Sequence, residues 1–572
     1  MSSSSTVNYA PDLPPSSQFQ EKTLQTDEKS PFCVFREVIE SIVVAFVLAL
    51  LFRTFQAEAF MIPTGSMANT LMGRHKDITC PECGFRYKVG ASQEVDRQTG
   101  KTISSVDGVM CPNCRIGIDL TSESIAGHSH PSYGGDRIIV GKYPYRISDP
   151  KRWDVFVFMF PGNTQTNYIK RLVGLPGETI RIAEGNLYTR PLADKGTNKP
   201  FAISRKPPEK ILATMYNVYD NDKPNEKFFE ATQWPQRWIG AAGSVWEKPQ
   251  SGVYVSKPSA TSAVNWLLYQ HIVPTYDCLL NYYRHTKSYN APDTRPSLIT
   301  DVNAYNSVHP RDYQPSPLNV GIHWVGDLIV EGTVKPEQKK GKVHLQLVKG
   351  GVEFSASINL ESGQTWLTAS HQPNFKPQAT VNITPGKPMN LRFANVDDAL
   401  YLWINDKLVQ FDASTEYDSA DNGLPTPEDL RPVRIGVEGE NIEVSHLKLY
   451  RDLYYIAVQS PNRMAYINDF KDGLLPYNES SAADMEDFYR NSTRWGGFAD
   501  RNVVEFDLDK GQYFAMGDNS SHSEDSRLWG DSYNGVPYYV DESLLIGKAY
   551  FVFWPHAYHG FIPNISDMRR IR

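Results

Sequence analysis

Two residue types in this chain could together run hydrolytic chemistry: the hydroxyl of Ser66 and the amine of Lys170. Ser66 sits in Phe60-Met61-Ile62-Pro63-Thr64-Gly65-Ser66-Met67, a Pro/Gly-flanked turn that follows the only strongly apolar run near the N-terminus. A serine hydroxyl is a poor nucleophile until a base takes its proton. No Gly-x-Ser-x-Gly elbow surrounds Ser66, and the 13 histidines fall mainly in polar contexts, so a Ser-His-Asp triad has little support. Lys170 lies in a strand-like run between Tyr168-Ile169 and Leu172-Val173. Desolvation there would lower its pKa and leave a neutral amine able to act as base. On pattern alone, a strand lysine pointing to solvent is the commoner arrangement.

A second constellation is metal-like. Four of the 6 cysteines form Cys80-Pro81-Glu82-Cys83-Gly84 and Cys111-Pro112-Asn113-Cys114. Each knuckle turns two thiolates toward one centre, and two knuckles complete a tetrahedral four-sulfur zinc site. Two short disulfides are the alternative. A closed four-cysteine site has no open coordination position, so zinc there is expected to be structural, not catalytic.

The elements that must position these groups can be read in order. The length of 572 residues implies three or four domains, and the net charge of −7 with an isoelectric point near 6.0 disfavours nucleic-acid binding. Residues 1–35 read as a flexible tail. Residues 36–55 carry the apolar core Ile42 to Phe52 between Glu40 and Arg53, read as a single membrane anchor whose charged ends snorkel; a buried helix is the alternative. Ser66 follows Phe52 by 14 residues, within about 50 Å of the bilayer edge even if extended. Residues 56–73 hold the nucleophile and 74–132 the zinc-ribbon-like insertion. In residues 133–200 short strands appear at Arg137 to Val140, Asp154 to Phe160 and Asn167 to Val173. Residues 201–318 are hard to read, with Pro207 to Tyr216, which begins at a proline, and the aromatic Ser262 to Arg284 as candidate helices. Residues 319–455 show regularly spaced strands between Asp327 and Tyr450, a β-sandwich pattern with a loose jelly-roll likeness around Leu400 to Asp406. Residues 456–572 are looped to about Arg501 and then return to strands.

Several of these pieces resemble, in order, the successive boxes of bacterial type I signal peptidase: Ile62 to Met67, Gly135 to Val140, Asp154 to Phe158, Tyr168 to Gly177, and Gly517-Asp518-Asn519 through Asp525-Ser526-Arg527-Leu528-Trp529-Gly530. The resemblance covers roughly 200 residues in pieces; the cysteine segment and the long middle region have no counterpart. It implies a mainly β catalytic core behind one transmembrane helix. It also implies a serine endopeptidase of the cytoplasmic membrane that removes signal peptides on the export side, without a catalytic cofactor and in possible contact with the secretion machinery. Ser66 would be nucleophile and Lys170 general base, with the Ser66 N–H and Thr64 hydroxyl as oxyanion hole. Ser523 would orient the lysine, the Asp525–Arg527 pair and Asp518 would support the site, and Phe60, Ile62, Tyr168 and Ile169 would line the pockets for a preprotein bound as an added strand.

The chain departs from the family's pattern at three places. Asn69 stands where a proline is usual, Thr64 where serine is common, and Ser520-Ser521-His522 replaces Arg-Asp-Asn. None removes a catalytic group. Competing readings are a LexA-like self-cleaving regulator and a membrane-tethered binding protein with a vestigial peptidase core.

Overall fold

The computed structural model describes residues 31–55 and 57–572, apart from 97–98, 122–129, 258–263, 284–292, 310–320, 420–422, 440, 459–466, 472–481, 531–534, 556 and 559–561. Of the expected tail, 1–35, residues 1–30 lie outside the described residues, and 31–35 are not tail but the start of a helix. Residues up to Gln56 and those from Ala57 onward are two separate units.

In the first unit one helix, Pro31–Phe55, takes in the apolar run. Its side chains are described from Phe35 to Val47, and Ile42, Val43, Val44, Phe46 and Val47 are all exposed. Among the described residues no helix is long and apolar enough to cross a membrane. The described side chains include Arg36, Glu37 and Glu40, which lower the mean hydropathy of this part of the helix.

The second unit is built on an antiparallel sheet in the order Ala57–Met61, Arg137–Gly141, Leu545–Trp554, Val155–Phe160, Asn163–Gly174, Gln512–Met516, Val540–Asp541. Strands far apart in sequence are neighbours here. Val155–Phe160 is buried almost throughout and serves two cores by alternation. Val155 and Val157 pack with Ile62, Met67, Leu71 and Ile138, while Phe156 and Phe158 pack with Leu172, Tyr513 and Trp529. A smaller sheet, Ala202–Ile203, Asn186–Pro191, Glu178–Ala183 and Val504–Asp507, closes over Val173 and Phe514.

The middle of the chain is a sandwich of an 8-stranded and a 7-stranded sheet around one apolar core. The regularly spaced strands expected between Asp327 and Tyr450 are present, among them Leu328–Pro336, Lys342–Lys349, Met389–Val396 and Ile442–Arg451. The boundary expected near residue 318 is not respected by the sheets. Tyr216–Asp220, Trp246–Gln250 and Val253–Ser256 join one sheet, and Trp238–Gly240 and Asn265–Tyr269 join the other. The helix considered for Ser262 to Arg284 is instead the strand Asn265–Tyr269 followed by the helix Tyr276–Tyr283. Asn265 and Tyr269 are buried, as are Leu267 between them and the sandwich residues opposite, so period-two burial prevails over the aromatic run's helical spacing. The stretch expected to be looped before Arg501 carries the helix Ala482–Arg490 and a 3-10 segment, Ser492–Asp500.

The cysteine segment is a pair of hairpins, His75–Thr79 with Arg86–Gly90 and Gly108–Met110 with Gly117–Asp119. Gly108–Met110 also pairs with Val308–His309 from the middle region. The segment packs against Phe228, Trp234 and Ile272, so the two insertions form one body.

Candidate active site

Ser66 is in a single 3-10 turn, Gly65–Met67, entered through extended Thr64. Met67 is fully buried against Ile62 and Leu71 and fixes the turn to the sheet. Lys170 comes from the middle of Asn163–Gly174, opposite Phe156 in the register. Its Nζ donates to Ser66 Oγ at 2.7 Å. The lysine is only 4% exposed. Burial pulls its pKa down to about 8, against the opposing charges of Asp525, Glu524 and Asp518. A group that would be an ammonium ion in water is thereby brought near the point where a free amine is available at the nucleophile.

The Gly517–Gly530 turn closes the site from behind. Gly517 must lack a side chain: a Cβ there would fall 2.1 Å from Ser523 Oγ and 2.4 Å from the Ser66 carbonyl oxygen. Asn519 holds the nucleophile turn twice, donating from its N–H to the Ser66 carbonyl at 3.1 Å and from Nδ2 to the Gly65 carbonyl at 3.0 Å. Asp525 and Arg527 form a fully buried two-point pair, 2.9 and 2.8 Å, and Asp525 also accepts from Gly517 N–H at 3.0 Å. Burial works against the Asp525 anion, but the Arg527 guanidinium holds its carboxyl below the usual range.

Asp518 does not join that pair. It makes a second buried pair with Arg171, at 2.7 and 2.6 Å. Arg171 went unread in the sequence, although side chains alternate along a strand, so the neighbour of a lysine facing the nucleophile must face the opposite core and needs an acid there. Ser523 is buried beside Asp525, and its hydroxyl helps to hold that carboxyl low, while Lys170 Nζ donates to Ser66 Oγ.

A cleft of about 560 Å³ opens over Ser66 and Lys170, lined also by Thr64, Tyr168 and Ile169. Tyr168 stacks on Phe160 at 4.5 Å. Two of the four expected pocket residues do not line this cleft. Ile62 is 2% exposed in the core, and half-buried Phe60 packs against the same cluster. Both alternate away from the cleft along the strand that ends in the nucleophile turn. Within Asn163–Gly174 only Arg171, Leu172 and Gly174 pair with Gln512–Met516, and no strand is paired to that side of residues 163–170 among the described residues.

The chain matches the Signal peptidase, peptidase S26 family over residues 121–236 and 433–554, which takes in Lys170 and the Gly517–Gly530 turn. Signal peptidase I of Pseudomonas aeruginosa is 45% identical over 67 residues, 9% of this chain and 24% of that protein. Its counterpart from Buchnera aphidicola is 40% identical over 100 residues, 15% and 30% of the two chains. This chain is related to the type I signal peptidases. It spans between 18% and 30% of the length of the first relatives it matches. Among solved structures, the match to sheep galectin-11 covers 22% of this chain and 90% of that one at 12% identity and a TM-score of 0.17. The signal peptidase likeness lies in the segments that carry the lysine and the turn behind it, while the two insertions fall largely outside it.

The four cysteines gather as the spacing suggested. Cys80 and Cys114 Sγ are 3.6 Å apart, Cys83 and Cys111 Sγ 3.7 Å, and all four lie within 4.8 Å of one another as free thiols. Metal–sulfur bonds of about 2.3 Å in a tetrahedron need sulfur separations of about 3.8 Å, so the cluster could hold a metal ion. Buried Asp327, Asp397 and Asp452 also converge. Lys206 lies at 2.8 and 2.9 Å from Asp397 and Asp452, and Lys349 at 2.6 Å from Asp327, so these acids already have cations.

Proposed function

We propose that this protein is a membrane-anchored serine endopeptidase that removes N-terminal signal peptides from exported preproteins. The observation that carries this reading is the 2.7 Å hydrogen bond from buried Lys170 to Ser66 at the foot of an open cleft. Lys170, as the free amine, takes the Ser66 proton while Oγ forms a bond to the scissile carbonyl carbon. The tetrahedral oxyanion then sits at the Ser66 N–H, which belongs to the leading, unpaired donors of its 3-10 turn, and at the Thr64 hydroxyl. Collapse breaks the C–N bond as Lys170 returns the proton to the leaving amine. Water, deprotonated by the same lysine, then hydrolyses the acyl-enzyme.

The open side of residues 163–170 suits a substrate bound as an added strand, its main chain reading Tyr168 to Lys170. Asp518, Ser523, Asp525 and Arg527 serve the site from behind, through the nucleophile turn and the burial of Lys170. The exposed apolar side chains of Pro31–Phe55 support a role as the anchor in the cytoplasmic membrane, with the catalytic unit on the export side, where preproteins emerge from the secretion machinery. Cys80, Cys83, Cys111 and Cys114 would hold a structural zinc ion, and no step of the reaction needs it.

The experiment is cleavage of a purified preprotein in detergent, with the new N-terminus of the product sequenced. The reading requires a single cut after the signal segment. Cleavage of this chain itself, with the preprotein left intact, would favour a self-cleaving regulator instead.

A further inference from the structure

We propose that Asn306, on the middle insertion, is a positioning residue for the nucleophile. Asn519, which fixes both the Gly65 and Ser66 carbonyls, is itself held by the insertion. Asn306 and Asn519 exchange amide hydrogen bonds, Asn306 Nδ2 donating to Asn519 Oδ1 at 2.7 Å and Asn519 Nδ2 donating to Asn306 Oδ1 at 2.8 Å. Asn303 Nδ2 adds a further bond to Asn519 Oδ1 at 3.1 Å. Both amide ends of Asn519 are therefore set by residues some 215 positions away in the chain.

The neighbouring Tyr305 presses on the other side of the same turn. Its ring occupies the space a Cβ on Gly65 would need, 2.0 Å from that position, and its hydroxyl donates to the Arg74 carbonyl at 2.9 Å. The segment is anchored in turn to the cysteine cluster. Met110 N–H donates to the Ser307 carbonyl at 3.1 Å, the Ser307 hydroxyl donates back to the Met110 carbonyl at 3.0 Å, and Cys111 is the next residue. An unbroken path of hydrogen bonds and backbone therefore runs from a four-sulfur site to the carbonyls on either side of the Ser66 amide, a group used only at the transition state.

A displacement of the turn by a fraction of an ångström would leave substrate binding along Tyr168 and Ile169 intact and move the attacking oxygen and the oxyanion donor. The inference rests on the proposed Ser66 chemistry, so its test has one arm that needs no preprotein.

Asn306→Ala is compared with the wild-type full chain in preprotein cleavage and in acylation of Ser66 by a p-nitrophenyl ester, followed by intact mass. The expected result is a kcat lower by roughly 10- to 100-fold at unchanged KM, and slower Ser66 acylation by a similar factor. The control Ser370→Ala, which removes a hydroxyl bonded to the Glu353 N–H on the sandwich, keeps the wild-type kcat. Should Asn306→Ala fail to fold, Tyr305→Phe removes the hydroxyl that donates to the Arg74 carbonyl and is expected to lower kcat several-fold.

Wild-type acylation in a folded Asn306→Ala, or in Tyr305→Phe where Asn306→Ala does not fold, overturns the inference. Failure of wild-type protein to cut any preprotein, with acylation still slowed in the variant, overturns the proposed function and leaves the inference standing.

Discussion

At the scale of residues, the proposed chemistry turns on one amine. Burial brings the Lys170 pKa down to about 8, so as the proposed base it is protonated below that pH and free above it. kcat/KM is expected to climb about tenfold per pH unit at acid pH and to level off above about 8. Glu524 lines the cleft and its charge raises the lysine's pKa, so Glu524→Gln should move that limb to lower pH. An unmoved limb in this variant would remove Glu524 from the account. The Arg171–Asp518 pair makes a stability claim. Arg171→Met leaves a buried carboxylate unpaired and should cost about 3–5 kcal/mol in denaturant unfolding. Ser66 and Lys170 were singled out in the sequence, the family resemblance joined them, and the fold places them in hydrogen-bond contact. Arg171, Asn519 and Asn306 were not singled out, because an amide or guanidinium gains its role only from what the fold sets against it.

At the scale of elements, strands with regular alternation and glycine-rich turns were the readable part. Val155–Phe160 and the sandwich strands from Leu328 onward carry their burial pattern in the sequence. Tyr216–Asp220 and Asn265–Tyr269 do not stand out, because each is a short aromatic segment whose pairing partner, Ile442–Arg451 or Val433–Glu438, lies about 170 to 230 residues away. The cysteine hairpins were legible through spacing alone, since the knuckle geometry is local. Purified full-length protein should carry one zinc ion per chain, and Cys80→Ser with Cys83→Ser should lose it and lower the unfolding midpoint. Metal-free wild type with unchanged stability would show that the knuckles hold together without an ion.

At the scale of the whole molecule, a small β catalytic core is threaded by two insertions, and its three pieces meet only in the fold. Ala57–Met61 and Asn163–Gly174 stand at separate places in one sheet, yet the turn that follows the first brings Ser66 to Lys170 on the second. Tyr216, on a sandwich strand, ties them further: its hydroxyl lies 2.7 Å from the Asp518 carbonyl oxygen and 3.0 Å from that of Ala68, within reach of both. The order of the core pieces could be read in the sequence, but the contact between the insertions and the site could not, since no motif encodes it. Everything in the mechanism depends on Lys170 serving Ser66. The most direct test measures preprotein cleavage by folded Lys170→Met beside Ser66→Ala. Both should fall at least about a thousandfold below wild type, and wild-type cleavage by either variant would contradict the account.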